Sequence, residues 1–284
     1  MLSPRQIFED NIRPADLLLK VYRLLEHDAP NTEEGMLRTL RDLVQADTDE
    51  GLMVIYNEVF LGLIRERAEV PPASIKRSAL CNLLRQSVVT ASTALETYLP
   101  ILLRHNLPEV IRLRGKDFVP KQDGEITTQF KNLTFDLGDA VRILTDPDPL
   151  FIANKMISSL NFSYLSGKRG IHVCGVLLSL EKPWELIAKK LGEEQKKTHK
   201  EGEEKEISIQ KRVEATVKRR NDIVHRADRS QDDPAGAIQE ISFPWTKLSV
   251  ESIRAVCLAL DDLVVARINE LKTAASLTQP QEVG

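Results

Sequence analysis

The sequence predicts an all-α fold, and three observations predict it. Apolar residues recur at three- and four-residue steps along most of the chain. Turn signals such as Pro30-Asn31-Thr32, Pro71-Pro72 and Asp146-Pro147-Asp148-Pro149 separate the periodic stretches. Glycine is scarce, 13 in 284 residues, and aromatics make up only 5%, which argues against a barrel, a sandwich or a glycine-rich phosphate-loop enzyme. Hydrophobic residues at 42% give such a chain enough apolar surface for a sizeable core.

The elements follow in order. Leu17, Leu18, Val21, Tyr22 and Leu25 make a helical stripe over 12–25. Met36, Leu37, Leu40, Leu43 and Val44 make a second, and Leu52 to Ile64 a third that stops before Pro71-Pro72. Ser74 to His105 is the longest clean pattern, with Leu80, Leu84, Val88, Ala91, Leu95, Leu99 and Leu102 on one face and small residues elsewhere. A kink near Glu96 is expected there, because Pro100 lacks the backbone donor. Short helices are expected at Phe130 to Leu144, Phe151 to Leu160, Ile171 to Leu180 and from Pro183-Trp184. Gly192 to Glu206, with four Lys and six Glu, reads as a solvated surface tract. A helix over about 207–229, a polar loop over 230–245 and a last helix from an N-cap at Ser249 to about Lys272 complete the chain.

This divides the chain into a 1–73 N-terminal helical segment, a 74–272 helical domain carrying an insertion at about 106–206, and a flexible tail over 273–284.

Charge and motifs exclude much. A net charge of -3 rules out attraction of the whole chain to nucleic acid, so such binding needs a local patch. Cys81, Cys174 and Cys257 form neither a disulfide framework nor a zinc pattern, which fits a reducing compartment. The first residues do not read as a signal peptide, so none is expected, and the stretch Ile171 to Leu180 is about half of what a bilayer needs. A cytoplasmic protein without membrane contact is therefore expected. The chain carries no Walker loop, dinucleotide fingerprint, HExxH or GxSxG. His27, His105, His172, His199 and His225 have no metal-ligand spacing, so neither metal nor cofactor is expected. Gly167-Lys168-Arg169-Gly170 is basic but lacks the glycine spacing of a phosphate cradle. Trp184 and Trp245 read as packing residues.

One segment stands out. Between Lys211 and Arg229 lie seven Lys and Arg against three acids. At about 100° per residue, Val213, Val217 and Val224 share a stripe, and Arg220 falls near its middle. A guanidinium on an apolar face needs an anionic or polar partner. Asn221 and His225, at i and i+4, flank the stripe. Two readings stay open: Arg220 pairs inside the fold with Glu96 or Asp261, or it serves an anionic ligand.

Arg220-Asn221-Asp222-Ile223-Val224-His225 resembles the R-x(4–6)-H motif of the HEPN superfamily, in which a polar residue follows the arginine. His225-x-Ala227-Asp228 is similar to the branch that includes the RiboL-PSP families. Thr93-Ala94-Leu95-Glu96-Thr97-Tyr98 resembles the A-x-[DE]-x-Y stretch of that branch's upstream helix. The resemblance covers roughly residues 74 to 272. It implies an HEPN-like helical bundle and a metal-independent endoribonuclease acting as a homodimer on RNA. It would be a prokaryotic toxin or anti-phage effector, with an antitoxin or defence-system protein as a further partner.

His225 would do acid/base work, since an unperturbed imidazole titrates near about 6.5. Arg220 would hold phosphate oxygens, Asn221 would orient the ribose or the imidazole, and Glu96 would orient Arg220 or His225. Lys218, Arg219, Arg226 and Arg229 would extend the RNA-binding surface, with Arg85, Lys168 and Arg169 as further cations. The alternatives are a non-catalytic HEPN-like module that binds nucleic acid or protein, and a plain helical scaffold.

Overall fold

The structure, a computed structural model, describes residues 2–25, 77–115, 118, 126, 133–145, 148–160, 165–193, 208–229 and 236–278. Among them are eight helices and no strand. These are α1 (Pro4–Leu25), α2 (Arg77–Arg114), α3 (Leu137–Thr145), α4 (Pro149–Ser159), α5 (Gly167–Leu177), α6 (Pro183–Lys190), α7 (Ile209–Arg226) and α8 (Phe243–Thr278). None of the described helices is long and apolar enough to cross a membrane. The stripes expected at 36–44 and 52–64, the boundary at Pro71-Pro72, and most of the charged tract after Gly192 lie outside the described residues.

The chain divides into two compact units. The first comprises Met1–Glu9, Ser92–Val217 and Ser252–Gly284, and the second Asp10–Ala91 and Lys218–Glu251. Helices α1, α2, α7 and α8 contribute residues to both.

In the first unit the core forms around α2. Leu95, Leu99, Leu102, Leu103 and Leu107 are buried on it, together with Ile171, Cys174 and Leu177 of α5 and Val256, Leu260 and Val264 of α8. Each fully buried aliphatic side chain of this size contributes roughly 1.5–3 kcal/mol. Tyr98 lies against Phe8, ring centroids 5.2 Å apart and tilted. Its hydroxyl donates to the Cys257 carbonyl at 3.1 Å and to Asp261 Oδ1 at 3.2 Å, so its polar end is satisfied inside the core.

Burial lifts the Asp261 carboxyl above the ordinary carboxylate range, against the opposing pull of the Tyr98 hydroxyl and Arg5. Next to it, Asp262 is held below that range, first of all by the hydrogen bond from Lys190. Burial also pushes the Cys174 and Cys257 thiols up, so both behave as small apolar groups.

In the second unit Ile12, Ala15, Leu19 and Tyr22 of α1 are buried with Leu84, Val88 and Ala91 of α2 and Val250 of α8. Ser87 Oγ, fully buried, donates to the Ala15 carbonyl. Tyr22 stacks on Phe243 at 5.9 Å.

Helix ends show why elements start where they do. Asp148 Oδ1 accepts from the Leu150 N–H at 2.9 Å, and Pro149 follows at the first helical position, as expected of a capped start. Pro183 likewise opens α6. Helix α8 begins earlier than its apolar pattern suggested. Ser242 Oγ accepts from the Trp245 N–H at 3.4 Å, whereas Ser249, the expected cap, is buried inside the helix. The same helix continues to Thr278, past the point where the tail was expected to begin. Helix α2 runs unbroken through Pro100 and Pro108 to Arg114, beyond the expected end at His105.

Candidate functional site

The motif residues lie on the part of α7 that belongs to the second unit. Arg220 Nη1 donates to Asn221 Oδ1 at 3.0 Å, so the neighbouring side chains hold each other. Both are half-buried, while His225, one turn after Asn221, is exposed. Glu96 is 6% exposed and belongs to the first unit.

The buried face of α7 differs from the stripe read off the sequence. Ile209, Val213 and Thr216 are buried, but Val224 is 50% exposed. In the last two turns the inward positions are charged, with Asp222 only 5% exposed and the Arg219 side chain 15% exposed. The face turns because residues three apart, Val213, Thr216, Arg219 and Asp222, drift steadily round the helix relative to its 3.6-residue repeat.

What holds this end of α7 is a buried carboxylate. Asp228, 1% exposed, lies just past the helix and accepts from Arg85 Nε at 2.6 Å and from Arg219 Nη2 at 3.0 Å. Arg219 Nε stands 2.7 Å from its other oxygen. Both guanidinium groups also donate to the Gln239 carbonyl, at 3.0 and 3.1 Å, and Arg219 to the Glu240 carbonyl at 2.8 Å. The backbone closes the arrangement, with Asp228 N–H donating to the Asp222 carbonyl and Gln239 N–H to the Asp228 carbonyl, each at 2.9 Å. Ala227 and Asp228 adopt left-handed backbone angles, φ 49° and 63°, to make this turn.

Several cations expected on an RNA-binding surface are thus engaged within the protein. Arg219 and Arg85 hold Asp228, Arg226 donates to Asp222 Oδ1 at 2.7 Å, and Arg229 donates to the Gly236 carbonyl at 3.0 Å. Lys218 is exposed. The sequence offered no signal for the Arg85–Asp228–Arg219 cluster, because its members have no common helical spacing and meet only through the fold.

Among the described residues no group of three His, Cys, Asp or Glu side chains stands ready to hold a metal ion. In the first unit, a cavity of about 440 Å³ is lined by Lys168, Arg169 and His172 of α5, Trp184 of α6, and Gln210 and Glu214 of α7. Trp184, read from the sequence as packing, contributes to an accessible wall. No family model matches the chain, and neither does any curated protein or solved structure.

Proposed function

We propose that the chain is a metal-independent endoribonuclease of HEPN type, in which Arg220, Asn221 and His225 form the catalytic group and two copies complete the site. The observation that carries this reading is the pairing on one helix of an exposed imidazole with a guanidinium–amide pair fixed by a 3.0 Å hydrogen bond. An ordered guanidinium presents planar donors to phosphate oxygens. An accessible imidazole one turn after Asn221 can move a proton.

The chemistry needs little else. One imidazole takes the proton of a ribose 2′-OH as that oxygen attacks the adjacent phosphorus. A second gives a proton to the departing 5′-oxygen, while Arg220 steadies the charge that builds on the phosphoryl oxygens. The products are a 2′,3′-cyclic phosphate and a 5′-OH end. Each copy supplies one such histidine, so a symmetric dimer provides both acid and base. Val224, half-exposed beside His225, gives that surface an apolar side chain for a second copy to cover. The cellular role that goes with this activity is that of a cytoplasmic toxin or anti-phage effector, restrained by an antitoxin or defence-system partner.

A second reading, a binding module with the same residues in structural roles, is favoured by the internal engagement of Arg219, Arg226 and Arg229. The experiment that separates the two is incubation of the purified protein with single-stranded RNA in excess chelator, followed by mapping of product ends. Cleavage leaving 5′-OH ends, reduced at least about a hundredfold in His225→Ala, is expected. An inert wild type, or unchanged cleavage by the variant, overturns the nuclease reading.

A further inference from the structure

One carboxylate ties both ends of the motif. Arg219, the residue before Arg220, holds Asp228, which follows His225 by three residues, with Nη2 3.0 Å from Oδ2 and Nε 2.7 Å from Oδ1. Arg85 of α2 reaches the same Oδ2 at 2.6 Å. The side chains of Arg219, Asp228 and Arg85 are 15%, 1% and 12% exposed, so water competes little for these bonds. All three residues belong to the second unit, as do Arg220, Asn221 and His225.

The backbone between them is closed as well. Asp228 N–H donates to the Asp222 carbonyl and Gln239 N–H to the Asp228 carbonyl, each at 2.9 Å, so the chain from Asp222 to Asp228 forms a loop that carries His225. Asp222 is itself buried and accepts from Arg226 Nη1 at 2.7 Å. The exposed imidazole thus stands on a turn whose tethers are buried on either side of it.

That turn does not form of its own accord. Helix α7 ends at Arg226, which puts His225 in the turn that frays first. Ala227 and Asp228 then adopt φ 49° and 63°. Glycine takes such angles freely, whereas other residues persist there only where their surroundings over-determine them. The Asp228 side chain supplies that determination, and a glycine in its place could not.

We propose that Asp228 is a positioning residue for His225. Held by Arg85 and Arg219, it keeps the last turn of α7 wound and so fixes the imidazole relative to Arg220. Its catalytic meaning rests on the ribonuclease reading, in which a displacement of about 1 Å at a reacting group can cost about a hundredfold in rate. The placement of the imidazole is measurable without any cleavage.

The test uses the full chain and two variants, Asp228→Asn and Arg85→Gln. Asparagine offers one acceptor oxygen and turns an NH₂ towards the other guanidinium, so one of the two holds is lost at constant size. With ¹³C-labelled histidine, the His225 signal is identified by its loss in His225→Ala. It should shift or broaden in both variants, while the signals of His105 and His172, in the first unit, stay in place. For single-stranded RNA, kcat per folded molecule should fall at least about tenfold in Asp228→Asn with KM unchanged within about twofold. Ser87→Ala, which removes a buried hydrogen bond of the same unit, should leave kcat per folded molecule unchanged. If Asp228→Asn does not fold, Arg85→Gln, altered on a different helix, carries both measurements. A His225 signal that moves in neither variant, or a kcat per folded molecule equal to wild type, overturns the proposal. A wild type that cleaves nothing sinks the ribonuclease reading alone, and the His225 signal then decides whether Asp228 places the imidazole.

Discussion

Arg85 on α2 donates its Nε hydrogen to Asp228 Oδ2 at 2.6 Å, and the carboxylate that receives it is 1% exposed. With Arg219 on its other oxygen, Asp228 is a buried anion between two guanidinium groups. Removing one member of such a group leaves the others charged and uncompensated. Asp228→Ala should therefore lower stability by about 3–5 kcal/mol in chemical denaturation, and Asp228→Asn by less, since the amide oxygen still accepts. A loss below about 0.5 kcal/mol would show that water reaches the site and that the cluster contributes little.

Adjacent arginines on α7 should behave differently. Arg219 spans Asp228, Gln239 and Glu240, so Arg219→Ala should lower stability by roughly 2–3 kcal/mol, through bonds lost from a charged donor. Arg220→Lys keeps the cation but loses the planar fork, and cleavage should fall about 10²–10³-fold per folded molecule. Equal activity per folded molecule in Arg220→Lys and wild type would remove Arg220 from the proposed chemistry.

Glycines at close approaches should resist substitution. A Cβ on Gly170 would lie 2.4 Å from the Leu165 backbone, and one on Gly175 would lie 2.4 Å from Pro183 Cγ. Gly170→Ala and Gly175→Ala should each destabilise by about 1–3 kcal/mol, seen as a lower Tm. At Gly115 a Cβ meets nothing within 4 Å, and only its φ of +51° opposes a side chain, so Gly115→Ala should cost no more than about 1–2 kcal/mol.

The neighbouring carboxyls on α8 should give opposite pH dependences. Asp261 is raised by burial, so the folded protein holds its proton more tightly than the unfolded chain does. Its contribution is fully present below the ordinary carboxylate range and is lost as pH rises through the raised value. Asp261→Asn should thus melt above wild type at neutral pH, with the gap closing as pH falls towards about 4. Asp262 is lowered, chiefly by Lys190, so its contribution is present above the ordinary range and lost as pH falls through the lowered value. Asp262→Asn should melt below wild type at neutral pH, and that gap too should close in acid. Melting curves across this pH range check both, and a gap for Asp261→Asn that does not change with pH would contradict the assignment.

Helical periodicity carried most of the fold. The stripe over 12–25 is α1, the long apolar face around Leu84 to Leu102 is the middle of α2, and Pro149 and Pro183 open α4 and α6 as their chemistry dictates. Ends were read less well. Ser249 has the right chemistry for a cap, but tertiary burial includes it in a helix that Ser242 starts. Residue types and spacing placed Asn221 and His225 four apart on one helix, and α7 carries both. What spacing does not convey is who neutralises whom. The partners of Arg219 lie 9 and 20 residues away in sequence, and only packing brings them within 3.1 Å.

That neutralisation limits what a polyanion would meet. Of the seven cations between Lys211 and Arg229, Arg212, Arg219 and Arg226 each already stand within 3 Å of a carboxylate, so no more than four remain to displace condensed counterions. For single strands the logarithm of affinity falls with the logarithm of salt at about 0.7 per phosphate neutralised, which sets a slope from this segment no steeper than about −3. Electrostatic grip from this helix is therefore shallow, and any strong discrimination among strands has to come from shape and contact rather than from charge.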